Sequence, residues 1–345
     1  VKELIKPSKL SKGDTVAIVS PSSGVAGEKD ILWRTKVGIQ RLKDEFGLNV
    51  KVMPHALNGA DFTYNHPEKR VEDLHQALQD PEVKAIICTL GGDDSVRLWP
   101  YIDLNIIKDN PKIFSGYSDT TALHFMFYQA GVSSFYGPLL LTDFAENVQM
   151  DDYTVQSIKQ TWFQNGVVGN VPTSPQIRKY GLEWDEKKKN INRESFDNNG
   201  YEILNGSGKA TGHLIGGCME LFHSLKATDV FPNKDVFDGA ILFIETAEVH
   251  APPWLMEDYV RAFGSMGIFD RINGVIIGRP QDDVYYEEYK EVWVKMLKEW
   301  HQEDMPVFYN ASFGHNEPKC IIPYGAQAEL DVDNKTFTII DNAVD

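Results

Sequence analysis

Apolar residues in the first third of the chain fall in short unbroken runs separated by helical stripes. Thr15-Val16-Ala17-Ile18-Val19-Ser20 is one such run, entered through Gly13-Asp14 and ended by Pro21-Ser22-Ser23-Gly24. Val83-Lys84-Ala85-Ile86-Ile87-Cys88-Thr89-Leu90 is another and stops at Gly91-Gly92-Asp93-Asp94-Ser95. Lys112 to Tyr117 is a third, and Asn49-Val50-Lys51-Val52 a shorter one. Unbroken rather than alternating apolarity marks strands covered on both faces, as in a parallel sheet. Between the runs, Ile31, Leu32, Ile39, Leu42 and Phe46 recur at helical spacing, and Glu68 to Leu78 does the same. Strand, helix, strand, helix at this spacing predicts an open parallel α/β sheet of the Rossmann or flavodoxin type. Ligands of such sheets bind beyond the carboxyl ends of the strands. Three loops leave from that edge: Pro21–Gly24, Gly91–Ser95 and Gly116–Asp119.

The pattern changes near residue 165. From Asn165 to Ser207, Gly, Asn, Pro, Lys and Glu dominate, with Lys187-Lys188-Lys189 and Asp197-Asn198-Asn199-Gly200 inside. A stretch of this length without strong periodicity reads as a linker with a functional loop. Beyond it, strand-like runs return at Ala210 to Gly217, Gly239 to Ile244, Gly274 to Gly278 and Met305 to Tyr309. Helical spacing appears in Pro253 to Met266 and Tyr286 to Trp300. Ala328 to Val332 and Thr336 to Ile340 read as a closing hairpin around Asp333-Asn334-Lys335. The expected organisation is an N-terminal α/β domain over residues 1–164, a linker and substrate loop over 165–207, and a strand-rich α/β C-terminal domain over 208–345.

Charge narrows the function. The formal net charge is −16, and a chain this acidic repels phosphate backbones, which argues against general nucleic-acid binding. Cys88, Cys218 and Cys320 are scattered and odd in number, which suits a reducing compartment and shows no metal-ligand spacing. No His-Glu-x-x-His helix is present, so a zinc-peptidase reading has no support. Val1 to Pro7 lacks an apolar core of signal-peptide length, and no run is apolar enough to span a membrane. A cytoplasmic protein without metal or cofactor is expected.

Ser118 lies where the run Ile113-Phe114-Ser115-Gly116 gives way to the helix-forming segment after Asp119. A strand-to-helix turn pushes a side chain outward among the free N–H groups of the helix start. Gly116-Tyr117-Ser118 therefore resembles a nucleophile elbow, although Thr120 stands where a second glycine is usual, and Ser118 as a plain helix cap is the competing reading. A nucleophilic hydroxyl needs a base and an orienting acid. His315, beside Gly314 in a loop of the second half, is either an ordinary loop histidine or a base aimed into a cleft. Glu245, closing the most apolar run of that half, is either a sheet-edge charge or the acid. His124 lies inside the helix after Ser118 and reads as structural.

Taken with their surroundings, Ser118, Glu245 and His315 resemble the serine carboxypeptidase family that includes the LD-carboxypeptidases of cell-wall recycling and the microcin C self-immunity proteins. The resemblance rests on Val19-Ser20-Pro21-Ser22-Ser23, Leu90-Gly91-Gly92-Asp93, Gly116-Tyr117-Ser118-Asp119-Thr120-Thr121 and Ser134-Phe135-Tyr136-Gly137-Pro138. In the second half it rests on Gly212-His213-Leu214-Ile215-Gly216-Gly217, Phe243-Ile244-Glu245 and Gly278-Arg279. It implies a Ser118–Glu245–His315 triad and an oxyanion hole made by the backbone N–H groups of Gly92 and Asp119. It also implies a homodimer. Taken alone, Gly91-Gly92 could be a simple turn and Asp119 a helix-start carboxylate. Cys218 departs from the family pattern, which often has Asn there.

Two branches of that family differ in substrate. The LD-carboxypeptidases cleave murein peptides between an L- and a D-centre. The immunity-type relatives cleave an aminoacyl group from a nucleotide and use a longer inter-domain segment with an aromatic that stacks on the base. Here that segment holds Tyr180-Gly181-Leu182-Glu183-Trp184-Asp185. Trp184 is then expected either to stack on a purine or to pack back onto its own domain. The expected substrate is an aminoacyl nucleotide, with murein tetrapeptide as the alternative; a non-catalytic two-domain binding protein is the remaining one.

Overall fold

The structure, a computed structural model, describes residues 3–345. Five strands make the first sheet's parallel body: β1 (Thr15–Val19), β2 (Asn49–Val52), β3 (Val83–Cys88), β4 (Ile113–Gly116) and β5 (Phe135–Tyr136). They run in the order 2-1-3-4-5. This is the flavodoxin-like order, with its switch point between β1 and β3. The unbroken apolar runs have the expected cause: Val16, Ala17, Ile18 and Val19 in β1 and Ala85, Ile86, Ile87 and Cys88 in β3 have no exposed surface. Helices Leu32–Phe46 and Pro67–Gln79 turn their apolar stripes onto the sheet. Pro67 opens its helix at a position where a missing N–H costs nothing.

The second sheet is mixed and eight-stranded. The segment expected as a linker contributes β6 (Val167–Asn170), β7 (Gln176–Arg178), β8 (Ser195–Asp197) and β9 (Glu202–Asn205). Then follow β10 (Lys209–Cys218), β11 (Ile241–Glu245), β12 (Gly274–Gly278), β13 (Val307–Ala311), β14 (Ile322–Pro323), β15 (Gln327–Asp331) and β16 (Thr336–Asn342). β10 to β13 lie parallel and side by side at the centre. β6 and β9, from the two ends of the segment, form the sheet's outer edges, and β7 and β8 pair as a separate ribbon between them. The segment is therefore sewn into the second sheet rather than hanging between domains.

Two features lock the halves together. β14 leaves the second half to pair antiparallel with β5, completing the first sheet. Just before it, Lys319 is wholly buried, with its ammonium 2.5 Å from Asp143 Oδ1 and 4.5 Å from the centre of the Tyr117 ring. Burial alone would push this ammonium toward neutrality; Asp143, Tyr117 and Glu317 outweigh it and hold the charge. Above the pair, Tyr136, Phe243, Phe313 and Tyr324 pack edge-to-face, and the Tyr324 hydroxyl donates to Gly216 O at 2.6 Å.

Removing one partner of a buried ion pair strands the other, at a cost of about 3–5 kcal/mol. Lys319→Met is expected to lower the urea-unfolding free energy by about that amount, and combining it with Asp143→Leu to recover part of the loss. A denaturation series on the wild type, the single variant and the double variant tests this.

Candidate active site

β4 delivers the chain to Tyr117 in extended conformation; Ser118 then turns into the left-handed region at φ 64°, and the helix Thr121–Ala130 follows. A serine held there stores roughly 1–3 kcal/mol of backbone strain. Its neighbours fix it: the Ser118 N–H donates to the Tyr136 hydroxyl at 3.1 Å, and the Thr121 hydroxyl donates to Ser118 O at 2.7 Å. The turn is thus an elbow in geometry as well as in sequence. Gly91 is what it turns against. A Cβ added at Gly91 would lie 3.0 Å from Ser118 Cβ and 3.2 Å from Oγ, so any larger residue there would crowd the hydroxyl.

The hydroxyl meets His315 from the other sheet. His315 Nε2 is 3.0 Å from Ser118 Oγ, and Nδ1 is 2.8 Å from Glu245 Oε2. Glu245 is the last residue of β11 and has no exposed surface. It accepts three hydrogen bonds: from His315 Nδ1, from the His315 backbone N–H at 3.0 Å and from the Tyr136 hydroxyl at 2.5 Å. Gly314, at φ 83°, is required here because a Cβ would fall 2.3 Å from the Glu245 carboxyl carbon. Ser118, Glu245 and His315, read from the sequence as a possible triad, therefore lie in one hydrogen-bonded chain. Burial by itself would depress the imidazole pKa; Glu245, with Glu248 in support, outweighs it and raises the pKa to about 10.

Gly92 follows the glycine that the elbow turns against, and Asp119 follows Ser118. Asp119 is in the first turn after Ser118, where backbone N–H groups have no intrahelical partner. Its side chain does more than begin a helix. The carboxylate accepts from the Ser22 hydroxyl and from the Ser95 N–H at 2.9 Å, while the Ser95 hydroxyl donates to Asp119 O at 2.7 Å. The three loops expected at the sheet's carboxyl edge are thereby tied to one residue. A Cβ at Gly92 would lie 2.4 Å from Ser22 Oγ, so the Gly-Gly pair is packed between two of those loops.

These groups open onto a cavity of about 650 Å³ lined by Ser118, His315, Gly92, Trp184, Arg34 and Glu248, among others. Trp184 is half-buried, with the Arg34 guanidinium 4.5 Å from the centre of its indole. Arg193, from the same segment, pairs with Glu146 and Glu317 and holds the segment against the cleft. The Tyr180 N–H donates to Asp282 Oδ1 at 2.9 Å, joining the segment to the loop after β12. His124 is structural, as expected. Its ring nitrogens bond Ser134 Oγ and Gly116 O, and burial pushes its pKa down to about 3.

Sequence reasoning missed Tyr136, Gly91, Arg34 and Glu248 as site residues. Tyr136 carried a signal, the aromatic pair before Gly137-Pro138; Arg34, one polar position in the helix Leu32–Phe46, and Glu248, in the loop after β11, carried none. Among the described residues, one group has atoms close enough to share a cation: Cys218, Glu245 and His315, within 4.8 Å of one another. Two of these belong to the hydrogen-bonded chain, and burial holds the Cys218 thiol well above its ordinary pKa. Among the described residues no helix is long and apolar enough to cross a membrane.

Residues 16–137 match the LD-carboxypeptidase N-terminal domain and residues 211–330 the LD-carboxypeptidase C-terminal domain. The crystal structure of an MccF-like protein from Streptococcus pneumoniae in complex with AMP superposes with a TM-score of 0.87 at 33% identity, covering 94% of this chain and 98% of that one. The microcin self-immunity protein MccF of Escherichia coli is 27% identical across 96% of this chain and 94% of its own length. A probable murein peptide carboxypeptidase of Bacillus subtilis is 28% identical across 97% of this chain and 94% of its own length. With both domains matched in order and the whole fold shared, this chain belongs to the LD-carboxypeptidase family that includes MccF.

Proposed function

We propose that the protein is a serine hydrolase that releases an aminoacyl group from a nucleotide through an amide-type bond. Ser118 Oγ attacks the acyl carbonyl while His315 Nε2 takes its proton; Glu245 holds the imidazole with Nδ1 protonated and stabilises the imidazolium that forms. The oxyanion is received by the N–H groups of Gly92 and Asp119. His315 then returns the proton to the leaving nitrogen, and water repeats the sequence on the acyl-enzyme.

The observation that carries the nucleotide half of the reading is Trp184. Its indole is on the wall of the cavity that holds Ser118 and is backed by Arg34. A base laid on that ring completes a guanidinium–indole–base stack. Arg34 donates to neutral oxygens of Leu141 and Asn147, and no carboxylate among the described residues lies within ion-pair distance of it. Its charge is thus left for a ligand anion. The solved relative bound to AMP supports the same ligand class. A homodimer in a reducing cytoplasm completes the proposal, and the three buried free thiols suit that compartment.

Ser118→Ala is expected to fold and to lose at least about a thousandfold in kcat; near-normal turnover would remove Ser118 as nucleophile. EDTA is expected to leave the rate unchanged, and inhibition reversed by zinc would overturn the metal-free mechanism. The substrate reading is tested by kcat/KM on one aminoacyl-sulfamoyl adenosine and one murein tetrapeptide. Trp184→Ala is expected to cost about ten- to a hundredfold on the nucleotide and much less on the peptide. Equal losses would make Trp184 a packing residue, and wild-type turnover of the peptide alone would assign the protein to the murein branch.

A further inference from the structure

His315 Nε2 has two neighbours, not one. It is 3.0 Å from Ser118 Oγ and also 3.0 Å from Glu248 Oε2. Glu248 lies in the loop after β11, lines the cavity, and its side chain is 59% exposed, so it can swing without breaking the core. Nε2 carries at most one proton, and Nδ1 already donates its own to Glu245. When that proton points at the Glu248 carboxylate, the ring is an imidazolium and has no lone pair to take the Ser118 proton.

We infer that Glu248 is a substrate-released stop on the general base: it pairs with His315 in the free enzyme and leaves Nε2 when a cationic group of the acyl moiety takes its carboxylate. The inference rests on the hydrolase reading above. Its chemistry follows from position. The α-ammonium of an aminoacyl group is on the carbon next to the carbonyl that Ser118 attacks, so it arrives within a few bonds of Nε2. A carboxylate displaced from one cation is best satisfied by another. Once Glu248 has moved, the imidazolium loses one of its two anionic neighbours and releases its proton to solvent. Ser118 can then donate to Nε2.

Other titratable groups around the ring do not supply this switch. Glu245 is fixed by three donors, and Tyr136 and the Tyr117 ring are buried. The Cys218 thiol stays protonated. His250, two residues beyond Glu248 on the same loop, makes no hydrogen bond or ion pair with the carboxylate and acts on it only through space. Within the pair, the hydrogen bond from His315 holds the Glu248 carboxyl down to about 2, so Glu248 is anionic throughout the working range.

The test is Glu248→Gln, which keeps the shape and removes the charge. Wild type is expected to prefer alanyl-sulfamoyl adenosine over its N-acetyl derivative by about tenfold or more in kcat/KM, the scale of a charge-assisted contact. In the variant that ratio is expected to narrow, with kcat/KM for the N-acetyl compound rising near neutral pH. The sign of the pH effect follows. A carboxylate on Nε2 raises the free enzyme's histidine pKa, so kcat/KM climbs only as pH approaches that value. Removing the carboxylate moves this acidic limb to lower pH. The His315 imidazole signal, followed by NMR without substrate and assigned with His315→Ala, is expected to titrate at lower pH in Glu248→Gln. An unchanged substrate ratio, or an unmoved histidine titration, would overturn the inference. Failure of wild type to turn over either compound would instead overturn the aminoacyl-nucleotide reading, while the titration still decides whether Glu248 pairs with His315.

Discussion

Everything at this site depends on one buried carboxylate. Glu245 has no contact with solvent, and an ion in that position persists only if its oxygens are bonded. Its donors come from both halves of the molecule: Tyr136 from β5 of the first sheet, His315 from the loop beyond β13 of the second. Satisfying Glu245 therefore docks the sheets and sets the imidazole in one act. With Nδ1 donating to the carboxylate, Nε2 is aimed at Ser118. Tyr136 joins the circuit a second time by accepting the Ser118 N–H, so the strained elbow and the acid share a hydroxyl.

Under the cleft lies a set of paired, largely buried charges. Lys319 pairs with Asp143, and Arg193 with Glu146 and Glu317. Burial would raise the Glu317 carboxyl, but Arg193 and Lys319 bring it down to about 2 and keep it ionised. Such a network gains little over apolar packing in net stability. What it does is hold Arg193, and with it the segment that carries Trp184, against the face that bears Ser118 and His315. The chain's net charge of −16 does not decide how anions fare inside the cleft. Beyond about 8–10 Å salt screens the field, and within that distance Arg34, Arg178 and Arg193 line the cavity together with Asp93, Glu248, Asp282 and Glu317.

Much of the fold was legible in the chain because its causes are local. Residues such as Val16 to Val19 and Ala85 to Cys88 are covered on both faces by helices, and that burial writes itself as unbroken apolarity. Gly, Pro and Asp mark the loops at the carboxyl edge, and the elbow announced itself through Gly116 and the helix after Asp119. The inter-domain segment was less legible. Its edge strands β6 and β9 are short and mostly half-exposed, so they carry little apolar signal to separate them from a loop.

What the sequence determined alone was the set of parts: a parallel sheet with loops at its reactive edge, a strand-rich second half, a serine on a turn, and an acid and a histidine in family order. Tertiary structure decided which parts touch. No periodicity can report that Asp119 would tie three loops, that Tyr136 would bridge Ser118 and Glu245, or that Arg34 would back Trp184. Nor could it report that Glu248 would stand at Nε2. Those contacts join residues tens to hundreds of positions apart. Their energy comes from desolvated hydrogen bonds and charges that exist only once the two sheets have closed on each other.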